Sequence, residues 1–477
     1  MAINTKCQVF TPPQYAKTLL DYIGYKQNLH NRKIAENSCG DGNILVEIVE
    51  RYIKDCKKNS LNPDQIKQGL ENDIYGAELD QRHIDVCIGR LDQIANKHKI
   101  YNVNWNIFRG DFLKTNTQCV FDFVVGNPPY ITYSDLEKED RTYLRENYAV
   151  CSIGKFDYCY AFIEASIKSL TENGKLAYLI PTNIFKNVFA ANLRKLLLPH
   201  LTNIFDFSTK KLFENKLTSS AIIIYDKTQN KNHIIYNDIV NNKHWNISKE
   251  TLLDKWQFHQ PISTTKDRFL CFGDYFHTAN SVATLLNEVY IINNFTENKT
   301  NISVGNYQIE KSLLKVAKSP RSINLQKEEY IIFPYYYENN TLIHYSKDDF
   351  ETIFPFGTQY LYSFAKQLKK RQSDKGIEWF EYGRSQALSH LNQPKLLLST
   401  LITTKVRVYY LTKQEIPTSG LYIIPKNNIS LNIAKKILES DPFLEYVNSI
   451  GIVANGKSVR ITSKDIERFL FPAEYLR

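Results

Sequence analysis

Between residues 33 and 227, short apolar runs alternate with stretches of helical spacing, and this alternation constrains the fold more than any other feature. KIAENSC (33–39) reads as a buried strand ending in the turn Gly40-Asp41-Gly42. Ile44, Leu45, Ile48, Val49, Tyr52 and Ile53 then recur on one helical face. DIYGAELD (73–80) predicts a second strand, followed by a helix from Gln81. VNWNIFRGD (103–111), FDFVVGNPPY (121–130), KLAYLIP (175–181) and TSSAIIIYD (218–226) predict further strands, with helices from Asp157 and Phe189. Strands that take turns with helices build an α/β fold, a doubly wound, mainly parallel sheet covered on both faces. Ligands of such sheets bind beyond the carboxyl ends of the strands, so the turns there are the places to search.

After about residue 245 the rhythm breaks. The segment NNFTENKTNISVGN (293–306) is polar and reads as a loop, while YIIFPYYY (330–337) and KLLLSTLI (395–402) suggest mixed α+β structure. The chain of 477 residues is long enough for two domains. The expected division is 1–245 and 246–477, the second domain smaller and α+β. A net charge of +10 favours a polyanionic partner. The eight cysteines form no C-x-x-C pair and no secreted disulfide framework, and no stretch is apolar enough to span a bilayer. No metal site and no membrane partner are expected, and a reducing cytoplasm is the expected setting.

Four turns carry the candidate chemistry. Asn127-Pro128-Pro129-Tyr130 directly follows the strand FDFVVG. Two prolines end a strand whether or not chemistry follows, so a plain turn is the simpler alternative. The chemical reading rests on the poor nucleophilicity of an amine on an aromatic base. Two acceptors on its hydrogens favour a tetrahedral nitrogen with an available lone pair, and the Asn127 side-chain oxygen and the Pro128 carbonyl are suitable acceptors. Tyr130 offers a face on which an extruded base can stack. The second turn is Glu36-Asn37-Ser38-Cys39-Gly40-Asp41-Gly42, where glycines allow close backbone approach to a ligand. Third, Glu78 ends a strand, where an acid suits ribose hydroxyls and where a solvated carboxylate is the plainer reading. Fourth, Asp111 is placed to accept from an adenine amine and Phe112 to cover the ring; a turn residue beside a core Phe is the alternative. The four occur in order on successive strands.

As a set these motifs resemble the gamma-class amino-methyltransferases of DNA, of the TaqI type. The resemblance begins at Phe10-Thr11-Pro12-Pro13, runs through ENSCGDG, where Asn37 stands in place of the usual Pro, and reaches residue 227 or so. GKFDYCYAFIEASI (154–167), GKLAYLIPTNIFKN (174–187) and KKLFENKLTSSAIIIYD (210–226) resemble later family motifs. EWFEYGRSQAL (378–388), NQPKLLL (392–398) and GKSVRIT (456–462) resemble the target-recognition domain more weakly. The resemblance implies a Rossmann-like fold that uses S-adenosylmethionine (SAM). It would place Thr11 at the methionine end of SAM, Glu36, Ser38, Cys39 and Gly40 in the glycine-rich cofactor turn, Glu78 on the ribose, Asp111 and Phe112 on the cofactor adenine, and Pro129 along the cofactor. Asn127, Pro128 and Tyr130 would be catalytic, with Phe213 either a second aromatic against the flipped base or a core residue.

The implied activity is methylation of adenine N6 at specific sites in double-stranded DNA, in a restriction–modification system with a possible separate endonuclease or as a solitary methylase. Two alternatives stay open: a ribosomal-RNA adenine or protein-glutamine methyltransferase, and an inactive DNA-binding relative.

Overall fold

The computed structural model describes residues 11–115, 118–207, 219–252, 254–258, 269–454 and 458–476. It divides into two compact units, residues 1–262 and 263–477. Position 245, the expected boundary, lies within a strand of the first unit.

In the first unit a nine-stranded sheet has the order β3-β2-β1-β4-β5-β7-β6-β8-β9. The strands are β1 (Ile34–Glu36), β2 (Ile74–Glu78), β3 (Asn106–Arg109), β4 (Phe121–Gly126), β5 (Leu170–Pro181), β6 (Leu201–Asp206), β7 (Ser220–Asp226), β8 (His233–Asp238) and β9 (Lys243–Ser248). From β3 to β5 every pairing is parallel. β7 inserts antiparallel between β5 and β6, and β9 pairs antiparallel with β8. The strand β6 went unpredicted because LTNIFD buries only two of its six residues, which leaves it no continuous apolar run.

Burial is nearly continuous along the central strands, and successive side chains alternate between two cores, as a sheet covered on both faces requires. Val124, Leu176, Tyr178 and Ile180 face one core, which also takes in α6 (Tyr158–Ser169) and α7 (Ala191–Leu197). Phe123, Val125, Ala177 and Leu179 face the other, beneath α1 (Pro13–Ile23), α2 (Asn43–Lys58), α3 (Pro63–Asp73) and α4 (Gln81–Lys97). The order of strands reverses between β1 and β4, which creates a crevice at their carboxyl ends.

The entry to β1 is pinned by two acids, the buried Asp73 and the half-buried Asp122. Asp73 accepts from Asn31 N at 2.7 Å and from the Tyr52 hydroxyl at 2.5 Å, while Asp122 accepts from Lys33 N at 2.9 Å. A β-carbon at Gly69, in α3, would lie 2.0 Å from that Tyr52 oxygen.

The second unit is α+β. One antiparallel sheet orders Phe276–Asn280, Leu421–Pro425, Lys395–Leu398 and Val408–Leu411, and helices Leu431–Leu438 and Asp441–Ile450 share the core on one side of it. A second core gathers Tyr290, Phe350, Phe380 and Tyr382. The expected loop at 293–306 instead contains two strands, Thr296–Glu297 and Asn301–Val304, which pair antiparallel with each other and, beyond the segment, with Tyr307–Glu310. Gly305, at φ 58°, and Asn306 make the two-residue hairpin turn, and Ile302 and Ile309 are fully buried. The polar residues that suggested a loop lie on the solvent side of these strands and in their turns. Among the described residues no helix is long and apolar enough to cross a membrane.

Gly69→Ala tests the packing that holds β1. In an unhindered helix this change stabilises by about 0.5–1 kcal/mol. Here overpacking against Tyr52 reverses the sign, and a loss of about 1–3 kcal/mol is expected in urea unfolding. Unchanged or raised stability would contradict the packing account.

Candidate active site

Because β3, β2, β1 and β4 are parallel neighbours, their carboxyl ends bring the four candidate turns to one edge of the sheet. Hydrogen bonds then join the turns to one another. The Glu78 carboxylate accepts from Gly40 N at 3.0 Å, across the sheet, and from Leu79 N and Asp80 N at 2.8 and 3.0 Å. Cys39 N donates to the Ala77 carbonyl at 3.0 Å, and Gly110 N to the Glu78 carbonyl at 2.9 Å. The Ser38 hydroxyl reaches over the crevice to the Asn127 carbonyl at 3.4 Å.

The glycine-rich turn is shaped by two features. Gly42 has φ 77°, and a β-carbon there would meet the Cys87 sulfur at 2.4 Å, so both conformation and space exclude a side chain. Gly42 offers no side-chain cap to α2; the buried Glu36 carboxylate does this from β1, accepting from Leu45 N at 3.1 Å. Burial raises the Glu36 carboxyl well above the usual carboxylate range, and the Leu45 N–H partly offsets this.

Thr11 is buried, and its carbonyl accepts from Asn43 Nδ2 at 2.9 Å; Arg90 in turn donates to Asn43 Oδ1 at 2.6 Å and to the Asp41 carbonyl at 2.7 Å. The amino-terminal segment is thereby tied to the start of α2. Asp111 accepts from Leu113 N at 3.0 Å, and Phe112 is buried against the core. Burial raises the Asp111 carboxyl, with the Leu113 N–H pulling it back down.

At the end of β4, Pro128 is buried and Asn127, Pro129 and Tyr130 are half-buried. The Asn127 side-chain oxygen is shielded from solvent. Tyr130 packs against the core and donates its hydroxyl to the Leu179 carbonyl at 3.0 Å, so its ring is anchored to β5. Phe213 lies outside the described residues, as do Phe10 and residues 210–218.

Two groups at this edge had no role in the sequence reading. Asp157, at the start of α6, accepts from Asn183 Nδ2 at 3.3 Å, just past the end of β5; burial raises its carboxyl. Both sit in the stretches GKFDY and PTNIF, but only the adjacency of β4 and β5 shows that they meet. Tyr158 likewise links regions distant in sequence, its N–H donating to the Ile131 carbonyl at 2.9 Å and its hydroxyl bonding Asp111.

The edge therefore offers acceptors and a shielded amide around a crevice at the point of strand reversal. It is here that comparison with known proteins is informative. Residues 32–213 match the family described as Eco57I restriction-modification methylase. The Type II methyltransferase M.BstVI of Geobacillus stearothermophilus is 23% identical, over 97% of this chain and 89% of its own length. The Type II restriction enzyme and methyltransferase RM.Eco57I of Escherichia coli is also 23% identical over 97% of this chain, which spans 56% of that protein. Among solved structures, the Type IIL restriction-modification enzyme MmeI in complex with DNA matches 96% of this chain and 64% of its own, with a TM-score of 0.57 and 13% identity. At that identity the likeness is one of fold.

Glu78→Gln tests the junction of the turns. An amide cannot accept with both atoms, so at least one of three backbone N–H groups loses its partner. Leaving such a group unsatisfied costs about 1–3 kcal/mol, and thermal unfolding should show a loss on that scale. An unchanged midpoint would mean that the carboxylate does not hold the turns.

Proposed function

We propose that this chain is a site-specific DNA methyltransferase of the gamma, TaqI-like class that methylates the N6 amine of a flipped adenine. The observation that carries the proposal is the position of Asn127-Pro128-Pro129-Tyr130: it ends β4 at the reversal of strand order, bridged through Ser38 to the glycine-rich turn. The similarity to a Type II methyltransferase and to a Type II restriction enzyme and methyltransferase supports it.

The residues present suit SAM. Glu78 Oε2 retains acceptor capacity after the Gly40 bond and would take ribose hydroxyls. Asp111 and Phe112 would take the adenine; Thr11, Glu36, Ser38, Cys39 and Gly40 the methionine portion; and Pro129 the adjoining side. SAM supplies an activated methyl on its sulfonium. Asn127 Oδ1 and the Pro128 carbonyl would accept from the target amine and direct its lone pair; as the N–C bond forms the methyl–sulfur bond breaks to leave a neutral thioether, and the amine's proton passes to solvent water. Tyr130 stacks on the extruded base from a ring already fixed by Leu179, which lowers the ordering cost. Phe213, outside the described residues, is proposed as a second aromatic against that base.

Residues 246–477, of which 263–477 form the second unit, are assigned to target reading. A domain of this size favours DNA over ribosomal RNA or a protein glutamine. The partners proposed are double-stranded DNA and a cognate restriction endonuclease, and the setting proposed is the cytoplasm.

Transfer of labelled methyl from SAM to unmethylated duplex DNA tests the reading. Asn127→Ala should cut the rate by about 10²–10³, the usual cost of losing a preorganised polar group at a reacting centre, and keep SAM affinity. A variant as fast as the parent would remove Asn127 from the chemistry.

A second outcome concerns pH. The charged form of Asp111 holds an amine donor more strongly than the neutral acid does, and burial raises its carboxyl. SAM affinity should therefore be full above that raised value and fall as pH drops through it, at a higher pH than an ordinary carboxylate would produce. Asp111→Asn should flatten this profile in calorimetric titration; an identical profile in both proteins would place the titration elsewhere.

A further inference from the structure

Beneath the two central turns lies a ring of buried polar groups. Asn37 Nδ2 donates to Ser166 Oγ at 2.8 Å, Ser166 Oγ lies 2.6 Å from the Tyr178 hydroxyl, and that hydroxyl donates to Asn37 Oδ1 at 2.5 Å. Tyr178 and Ser166 are wholly buried and Asn37 is 3% exposed. With the Ser166 hydrogen turned to Tyr178, each group donates to the next around a closed circuit. Such a circuit strengthens itself through mutual polarisation in a low-dielectric interior. The Phe162 carbonyl, also 2.6 Å from Ser166 Oγ, offers that hydrogen a second acceptor within α6.

Sheet register sets the ring's place. Glu36 pairs with Val125 and Gly126 with Tyr178, so Asn37, Gly126 and Tyr178 form a row across the point of strand reversal. A β-carbon at Gly126 would lie 3.2 Å from the Tyr178 ring and 3.6 Å from Asn37 Oδ1. The residues that follow in each turn are Ser38 and Asn127, which bond one another. Three buried polar side chains are costly to assemble for packing alone, since apolar groups would fill the same space.

We propose that the Asn37–Ser166–Tyr178 ring is a positioning device that holds the glycine-rich turn and the Asn127 tetrapeptide in register with each other. The ring touches neither substrate and acts through Ser38 and Asn127. Its role in transfer rests on the methyltransferase reading, but the coupling of the two turns does not.

The test uses the full chain and the variants Tyr178→Phe, Ser166→Ala and their double. In single-turnover transfer of labelled methyl to unmethylated genomic DNA, each single variant should be slower by roughly tenfold, as expected for a small misplacement of a reacting group. SAM affinity should stay within about twofold, and the double variant should be no slower than the worse single, because either change opens the same ring. A purely structural role would lower the melting temperature and leave the rate of the folded fraction unchanged, and that result overturns the proposal. Hydrogen–deuterium exchange reads the coupling without turnover: amides of residues 36–40 and 126–131 should exchange faster together in Tyr178→Phe. Faster exchange in only one turn, or in neither, also overturns it. Should Tyr178→Phe not fold, Ser166→Ala carries both measurements. If the parent transfers no methyl to DNA, the functional reading fails and the exchange result still decides the ring.

Discussion

The structure depends on the placement of a three-residue strand. β1 lies between β2 and β4, with Ile34 opposite both Ile74 and Phe123. A slip of one residue would invert its side chains and carry the glycine-rich turn away from its neighbours. So short a strand has few ladder bonds of its own. Its register is reinforced by side chains: Asp122 on Lys33 N, with Arg32 at 3.2 Å from the same carboxylate, and Asp73 on Asn31 N. Beyond its carboxyl end, Glu78 and Ser38 extend the same control into the loops.

One consequence is that scaffold and candidate site share residues. Glu78 is proposed to hold a ribose, yet it also holds three backbone N–H groups. Glu36 lies in the proposed cofactor turn and caps α2. Tyr130 is proposed to stack on the base and donates its hydroxyl to β5. Losing any of these side chains would affect stability and ligand binding together. Asn127→Ala keeps the bond from Ser38, which is made to the Asn127 backbone carbonyl.

Much of the first unit was legible because hydrophobic periodicity, turn residues and strand order agree. FDFVVG followed by two prolines announces both a buried strand and its end. Gly42 had to be glycine, and the structure adds a reason no sequence could show, the Cys87 sulfur. What escaped was whatever depends on pairing distant segments. β6 has too little burial to stand out, and the Asp157–Asn183 contact needs β4 beside β5. The Asn37 ring spans 141 residues of chain. Sequence comparison marked Asn37 as a departure from the usual Pro, and the structure gives its amide two buried partners. In the second unit Gly305-Asn306 is a hairpin turn whose flanking polar residues hid two buried isoleucines. Asn127 and its neighbours could be found without coordinates, because their chemistry is local to four consecutive residues.

The central claim is that this edge of the sheet presents an adenine amine to an activated methyl group. Nucleoside mass spectrometry on unmethylated duplex DNA, incubated with the full chain and SAM and then digested, tests it most directly. The account predicts N6-methyladenine, formed only when both protein and SAM are present. N4-methylcytosine, or DNA that carries no methylated nucleoside, would contradict it.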